Sequence, residues 1–429
     1  MFLQIDLLLK YLVSRPLDGA IERGKSIKLE TLSFQNRNSQ KTGVTSRKSR
    51  VMKTSVFLIL SFAMTVGCAT NQNYQQSPLQ PAVANSSVNL PQLVSRTGDY
   101  KTIPLAVDNV VLKVIQSKAD PIKDFGQVDE RVAENLKHVV ELGRKACSEG
   151  PKPNILLFHE FPFTGYVYGG REQKLAISLE IPGNESDAMA ELARQCDAYV
   201  IFGSYAKDAD WPGHVLSLTT VIDRTGVIVK KVWKPRNIKR FYSSFEISTT
   251  TVESVREKFR AKYGVEDELP IIRTEFGNIA VSTAQLDPLV FAAFAMQGAE
   301  IILRTATLYF ETDAIQTAMV NNVYSAMANI THKSKYGGRS MIVAPNGKIL
   351  AQETSNLKEA IVTAEIPMKK FRTSRKLPQY TTEFTQHIFD QYQAEIPMNH
   401  LDLPAKSLPK NGKAMKKLLD NISRWPRKE

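Results

Sequence analysis

Apolar and polar positions along the chain follow two spacings in alternation. Short apolar runs rich in Val and Ile at Val110 to Ile115, Asn154 to Phe158 and Tyr199 to Tyr205 predict buried strands. Between them, Val128 to Cys147 repeats its apolar residues every three or four positions (Val132, Leu136, Val139, Val140, Leu142, Ala146), which predicts an amphipathic helix. Met189 to Cys196 predicts a second helix. Leu216 to Asp223 and Val227 to Val232 flank Arg224-Thr225-Gly226 and predict a hairpin. Ile279 to Ser282, Ile301 to Leu303, Ser340 to Ala344 and Ala360 to Glu365 continue the strands, with helices expected at Phe291 to Met296 and Ala314 to Met327. Strands and helices in this rhythm predict an α/β layered domain. Thr249 to Tyr263 breaks it. Val252, Val255, Phe259 and Tyr263 share one helical face there, as in an inserted or lid element, and Phe384 to Tyr392 predicts a further helix in the tail.

At 429 residues the chain is long for one domain, and its charge shows where the extra length lies. Of the net +13, residues 1–51 carry +6 and residues 404–429 carry +6, leaving +1 for everything between. The folded body is near neutral, which argues against nucleic acid as a partner. Only Cys68, Cys147 and Cys196 are present, so a disulfide framework is excluded and one bridge at most can form. Cys147 and Cys196 fall at helix ends and read as small buried packing residues.

From Met52 the pattern changes again. Lys53 is followed by the apolar run Ser55 to Met64 and then Thr65-Val66-Gly67-Cys68. A positive start, an apolar stretch too short to span a bilayer comfortably and a small residue at the cut site make a signal peptide. It resembles a bacterial lipoprotein signal, which implies that Cys68 is lipidated and becomes the mature N-terminus, although Thr65 stands where Leu is usual. Asn71 to Ser95 is rich in Asn, Gln, Ser and Pro, as a tether would be. The expected organisation is a mis-called upstream segment over 1–51, a signal peptide over 52–67, a tether over 68–100, a domain over 103–372 and a basic extension over 373–429. Ala69 after the anchor implies the outer membrane, facing the periplasm.

Five segments inside the domain carry a further resemblance. Leu156 to Tyr166 (Leu-Leu-Phe-His-Glu-Phe-Pro-Phe-Thr-Gly-Tyr), Gly226 to Lys234, Thr274 to Val281, Gly298 to Ile302 and Gly338 to Gly347 are similar, in this order, to signatures of the nitrilase/amidase (carbon-nitrogen hydrolase) superfamily. The resemblance spans about 103–370 and implies an α-β-β-α sandwich. It places Glu160 as the catalytic carboxylate and Lys234 as the catalytic amine, and it implies a small amide- or nitrile-like ligand, no cofactor or metal, and self-association as a homo-oligomer. In this chemistry a thiolate attacks the carbonyl or nitrile carbon, the carboxylate shuttles the proton and the amine stabilises the developing oxyanion.

The thiol is missing. Counting forward from Gly277 puts its place at Ala284; counting back from Pro288 puts it at Ser282. Alanine offers no nucleophile, and a serine hydroxyl is a far weaker acid than a thiol. This predicts a degenerate member that binds an amide-like or carboxylate compound or a partner, against an active hydrolase using Ser282 or a structural envelope lipoprotein. Glu246, Tyr166 and Trp233 are the expected substrate-binding residues. Arg236 and His159 are further candidates, with His159 also readable as a structural replacement beside Glu160.

Overall fold

The computed structural model describes residues 97–391, except 168–169, 238–248, 379 and 381. The upstream segment, the signal with Cys68, Glu246 and the basic tail beyond 391 lie outside the described residues.

The periodicities fold as two facing sheets. The first runs β13 (Ala360–Ile366), β1 (Val110–Gln116), β2 (Ile155–Leu157), β4 (Tyr199–Lys207), β5 (Leu216–Ile222), β6 (Ile228–Trp233), with β3 (Leu179–Glu180) paired to β4. The second runs β12 (Ile349–Gln352), β11 (Met341–Val343), β10 (Tyr324–Asn329), β9 (Ile301–Ala306), β8 (Gly277–Ser282), β7 (Ile272–Thr274). Successive side chains of a strand point to opposite faces, so each strand feeds two layers. Val110, Leu112 and Val114 of β1 meet Ile279 and Val281 of β8 and Ile301 and Leu303 of β9 in a core between the sheets.

The other strand faces are covered by helices. Helices α1 (Val128–Ser148) and α3 (Asn184–Cys196) close the first sheet, burying Val139, Ala146, Met189 and Leu192 against Leu156, Val200 and Phe202. Between α1 and α3 comes the short α2 (Arg171–Ala176). At Gly143 a β-carbon would lie 2.4 Å from a methyl of Leu192, so a larger residue there would make the Leu192 side chain move. Helices α5 (Pro288–Met296) and α6 (Glu311–Asn321) cover the second sheet. The result is the nitrilase-like α-β-β-α order expected from the resemblance.

Three expectations change. The predicted helix Ala314 to Met327 stops at Asn321, because Asn322 takes the left-handed conformation (φ 49°) and Tyr324 starts β10. The insert over 249–263 is helical only from Arg256 to Tyr263 (α4), after a 3-10 turn. Cys147 and Cys196 are more than packing residues: they form a disulfide with a Cα–Cα distance of 5.5 Å, joining the C-terminal ends of α1 and α3. The tail continues as α7 (Met368–Ser374) and α8 (Thr382–Gln391). The start of the described chain touches the segment that follows α7: the Leu377 N–H donates to the Gly98 carbonyl at 3.0 Å, and the Arg375 guanidinium lies over the Tyr100 ring. Among the described residues no helix is long and apolar enough to cross a membrane.

Candidate functional site

Glu160 follows β2 by three residues and Lys234 follows β6 by one; β4 and β5 lie between these strands, which run the same way, so both residues leave the first sheet at the same edge. Both are buried, 3% and 2% exposed, and the Lys234 ammonium stands 3.6 Å from Glu160 Oε1. Hydroxyls brace the carboxylate from both sheets. Ser217 on β5 donates to Oε1 at 3.3 Å, and Thr307, just past β9, donates to Oε2 at 2.9 Å. One layer deeper, Thr219 and Thr305 share a hydrogen bond of 3.2 Å across the gap. Glu160 therefore ties the two sheets together at the end where the apolar core gives out.

The backbone at Glu160 is held as firmly as its side chain. Gly203 on β4 passes so close that a β-carbon there would lie 2.4 Å from the Glu160 carbonyl oxygen, and its N–H donates to the His159 carbonyl at 3.1 Å. A lone glycine within a strand is the sequence mark of such an approach. His159 is fully buried. Its Nδ1 accepts from the Phe161 N–H at 3.3 Å, which leaves Nε2 as the protonated nitrogen donating to Ser117 Oγ at 2.9 Å. His159 thus fixes the turn around Glu160 and does not line a cavity.

Burial pushes the His159 imidazole down to about 3, so it stays neutral in the fold. The unfolded chain, with an ordinary value of 6.5, binds that proton more readily, so the stability from keeping His159 neutral is complete above pH 6.5 and is lost as pH falls towards 3. Between pH 6.5 and 5 the loss should be about 2 kcal/mol. Urea midpoints across this range should fall more steeply for the native protein than for His159→Gln, and parallel slopes would refute the assignment.

Both residues expected at the thiol's place lie at the end of β8, beside α5. Ser282 has the same pleat direction as Ala280, which packs against α5, and its Oγ accepts from the Ala284 N–H at 3.0 Å. Ala284 packs with Phe291 and Phe294 of α5. Thr283 stands between them, just past the end of β8. The turn that follows is pinned: Leu286, at φ 53°, donates its N–H to Asp313 Oδ2 of α6 at 3.0 Å, and Asp287 pairs with Arg236 through two hydrogen bonds.

The remaining candidates separate. Trp233 lies on the face of β6 opposite Lys234, in an aromatic cluster with Trp211 at 5.0 Å and Phe259 at 5.2 Å, so it serves the outer core and not a substrate. Arg236 is engaged by Asp287 and lies 3.9 Å from Glu253. Tyr166 lies tilted at 50° to Phe161, ring centroids 6.1 Å apart, with the Lys174 ammonium 5.6 Å from the centre of its ring. Among the described residues no group of three His, Cys, Asp or Glu is placed to hold a metal ion. Sequence reasoning missed Ser217, Thr219, Thr305 and Thr307; their signal is the two-residue spacing of hydroxyls at the ends of otherwise apolar strands.

Comparison with known proteins agrees with this geometry. Residues 121–376, more than half of the chain, match the family described as carbon-nitrogen hydrolase. Omega-amidase NIT2 of Bos taurus is 26% identical over 285 residues, covering 63% of this chain and 95% of that protein. The Homo sapiens omega-amidase NIT2 is 24% identical over 282 residues with the same coverage. The crystal structure of a carbon-nitrogen hydrolase from Helicobacter pylori G27 superposes with a TM-score of 0.50 at 17% identity, covering 66% of this chain and 98% of that one, a likeness of fold. The family match over residues 121–376 leads to one conclusion: the chain belongs to the carbon-nitrogen hydrolase family.

Proposed function

We propose that this protein is an exported, lipid-anchored carbon-nitrogen hydrolase relative that holds a small amide-like compound at the Glu160–Lys234 pair without thiol-dependent hydrolysis. One observation carries the reading. The carboxylate and ammonium are buried and braced from both sheets, while the adjoining end of β8 reads Ser282-Thr283-Ala284 and both described cysteines are closed in a disulfide. A site keeps a buried ion pair at a cost, and that cost is met where a ligand uses both charges. Without a thiolate, the step that forms an acyl-enzyme has lost its nucleophile.

The kinship with proteins named omega-amidases favours an amide over other ligands. The second reading, attack by Ser282, is weakened by the direction of that side chain and by its hydrogen bond to Ala284. The disulfide supports export, since such bonds persist in oxidising compartments, and it agrees with lipidation at Cys68.

Calorimetric titration with small amides, run beside an ammonia-release assay over amides and nitriles, separates the readings. Binding without ammonia release is the expected result. Release that Ser282→Ala abolishes would establish the second reading instead. Palmitate labelling that survives Cys68→Ser would overturn the anchor.

A further inference from the structure

Helix α8 (Thr382–Gln391) ends the described chain and turns an apolar face to solvent. Phe384 is 80% exposed, Ile388 and Phe389 are exposed beside it, and none of the three joins a core of the domain. At about 3.6 residues per turn these three share one side of the helix, and Glu383 and Gln386 fall on the other. The helix leaves the domain at an apolar place. Just ahead of it the Tyr380 hydroxyl hydrogen-bonds the Asn321 side chain and the Val320 carbonyl (3.3 Å) at the end of α6, where Met319 and Val320 are exposed as well. One exposed apolar residue needs no explanation, but a side of a helix built from three of them marks a surface with a partner.

The sequence beyond α8 says what that partner is made of. Residues 404–429 carry +6, while the body of the chain is near neutral. Within them Met415, Leu418, Leu419 and Ile422 follow the spacing of one helical face, with Lys413, Lys416, Lys417 and Arg424 interleaved and Trp425 after them. A basic, amphipathic pattern of this kind suits an anionic membrane surface, its apolar side among the acyl chains and its Lys and Arg on the lipid phosphates. Residues 392–403 join the two segments and extend at most about 40 Å, so α8 and the basic segment reach the same surface. A nucleic acid would satisfy the charge and leave the apolar face bare. A second copy docked on α8 would bring two segments of like charge together, which disfavours that contact.

We propose that α8 docks on an anionic phospholipid surface through Phe384, Ile388 and Phe389, held there by the basic segment 404–429. At ten residues α8 is about 15 Å long, roughly half the hydrocarbon thickness of a bilayer, so it lies in the plane of the surface and does not span it. The aromatic and aliphatic side chains enter the boundary between polar groups and acyl chains, and Glu383 and Gln386 on the opposite side stay in water. This contact uses no part of the Glu160–Lys234 pair and no lipid on Cys68, so it is independent of both readings above.

The test is tryptophan fluorescence of the full-length chain mixed with phosphatidylethanolamine–phosphatidylglycerol vesicles whose acyl chains carry bromine. The native protein's emission serves as background for two variants, Phe384→Trp on the apolar side of α8 and Glu383→Trp on the polar side. The added emission of Phe384→Trp should shift to the blue and be quenched at least twice as strongly as that of Glu383→Trp. Deleting residues 404–429, or replacing the vesicles with brominated phosphatidylcholine, should reduce the Phe384→Trp quenching at least twofold. Cys68→Ser should leave the contrast between the two positions unchanged, whether or not Cys68 is lipidated. Phe384→Ser combined with Phe389→Ser should keep the thermal midpoint of the native protein in solution. Equal quenching at both positions, or at neither, overturns the docking of this face. Quenching indifferent to the deletion and to lipid charge overturns the role of the basic segment. A lowered midpoint in the double variant would mean that the face packs within the fold. A dimer in analytical ultracentrifugation that the double variant abolishes would mean that a second copy covers it. Emission of Phe384→Trp that is already blue-shifted without vesicles, and moves to the red on deleting 404–429, would mean that the tail covers it; each of these three results also overturns the proposal.

Discussion

Lys234→Met should lower the unfolding free energy by about 3–5 kcal/mol at pH 8, because it removes the ammonium 3.6 Å from the buried Glu160 carboxylate. The hydroxyls of Ser217 and Thr307 remain as donors, but neutral donors do not replace a full charge in a dry site. Lowering the pH should shrink the deficit, since the stranded carboxylate can then take a proton and stop being a buried charge. Pairing the change with Glu160→Gln should recover much of the loss at pH 8, because the second substitution removes the orphaned charge. Urea denaturation followed by circular dichroism at pH 8 and pH 5 reads all three effects. A single variant as stable as the native protein at both pH values would show that the pair contributes no electrostatic restraint.

The disulfide should matter on a similar scale. Cys147 and Cys196 are 49 positions apart, and closing a loop of that length removes freedom from the unfolded chain worth about 4 kcal/mol on the entropic account. Cys147→Ala with Cys196→Ala should therefore lower stability by about that amount, and dithiothreitol should do the same to the native protein while leaving the double variant unaffected. The helices would still pack, since Met189, Leu192 and Val139 bury the same surface without the bond. Binding of a small amide to the variant, while it remains folded, should be unchanged, because the bond lies on the outer side of the first sheet. Native protein that is indifferent to reductant would refute the crosslink.

How much of this could be read from the residues follows from how local each signal is. Helices α1 and α3 and the β5–β6 hairpin were legible because their periodicities are complete within one segment. Glu160 and Lys234 were legible for a different reason: each sits in a recognisable stretch of sequence. Thr307 and Ser217 were not, since what makes them part of the site is the facing of two sheets, and no spacing along the chain encodes that. The β10 strand was hidden behind α6, because Ala314 to Met327 keeps a helix-compatible run of small and apolar residues, and only the left-handed Asn322 marks the break. Trp233 was misjudged through its adjacency to Lys234, although the two-residue alternation of a strand sends neighbours to opposite faces. The cysteine pairing depended on how two helices cross, which the sequence does not state.

The contact between Gly98, where the domain begins, and Leu377, just past α7, bears on the proposed attachment. The points where the expected tether enters the domain and where the C-terminal extension leaves it therefore lie side by side. The +6 carried by residues 404–429 would then meet anionic headgroups at an effective concentration set by tether length rather than by its own weak affinity.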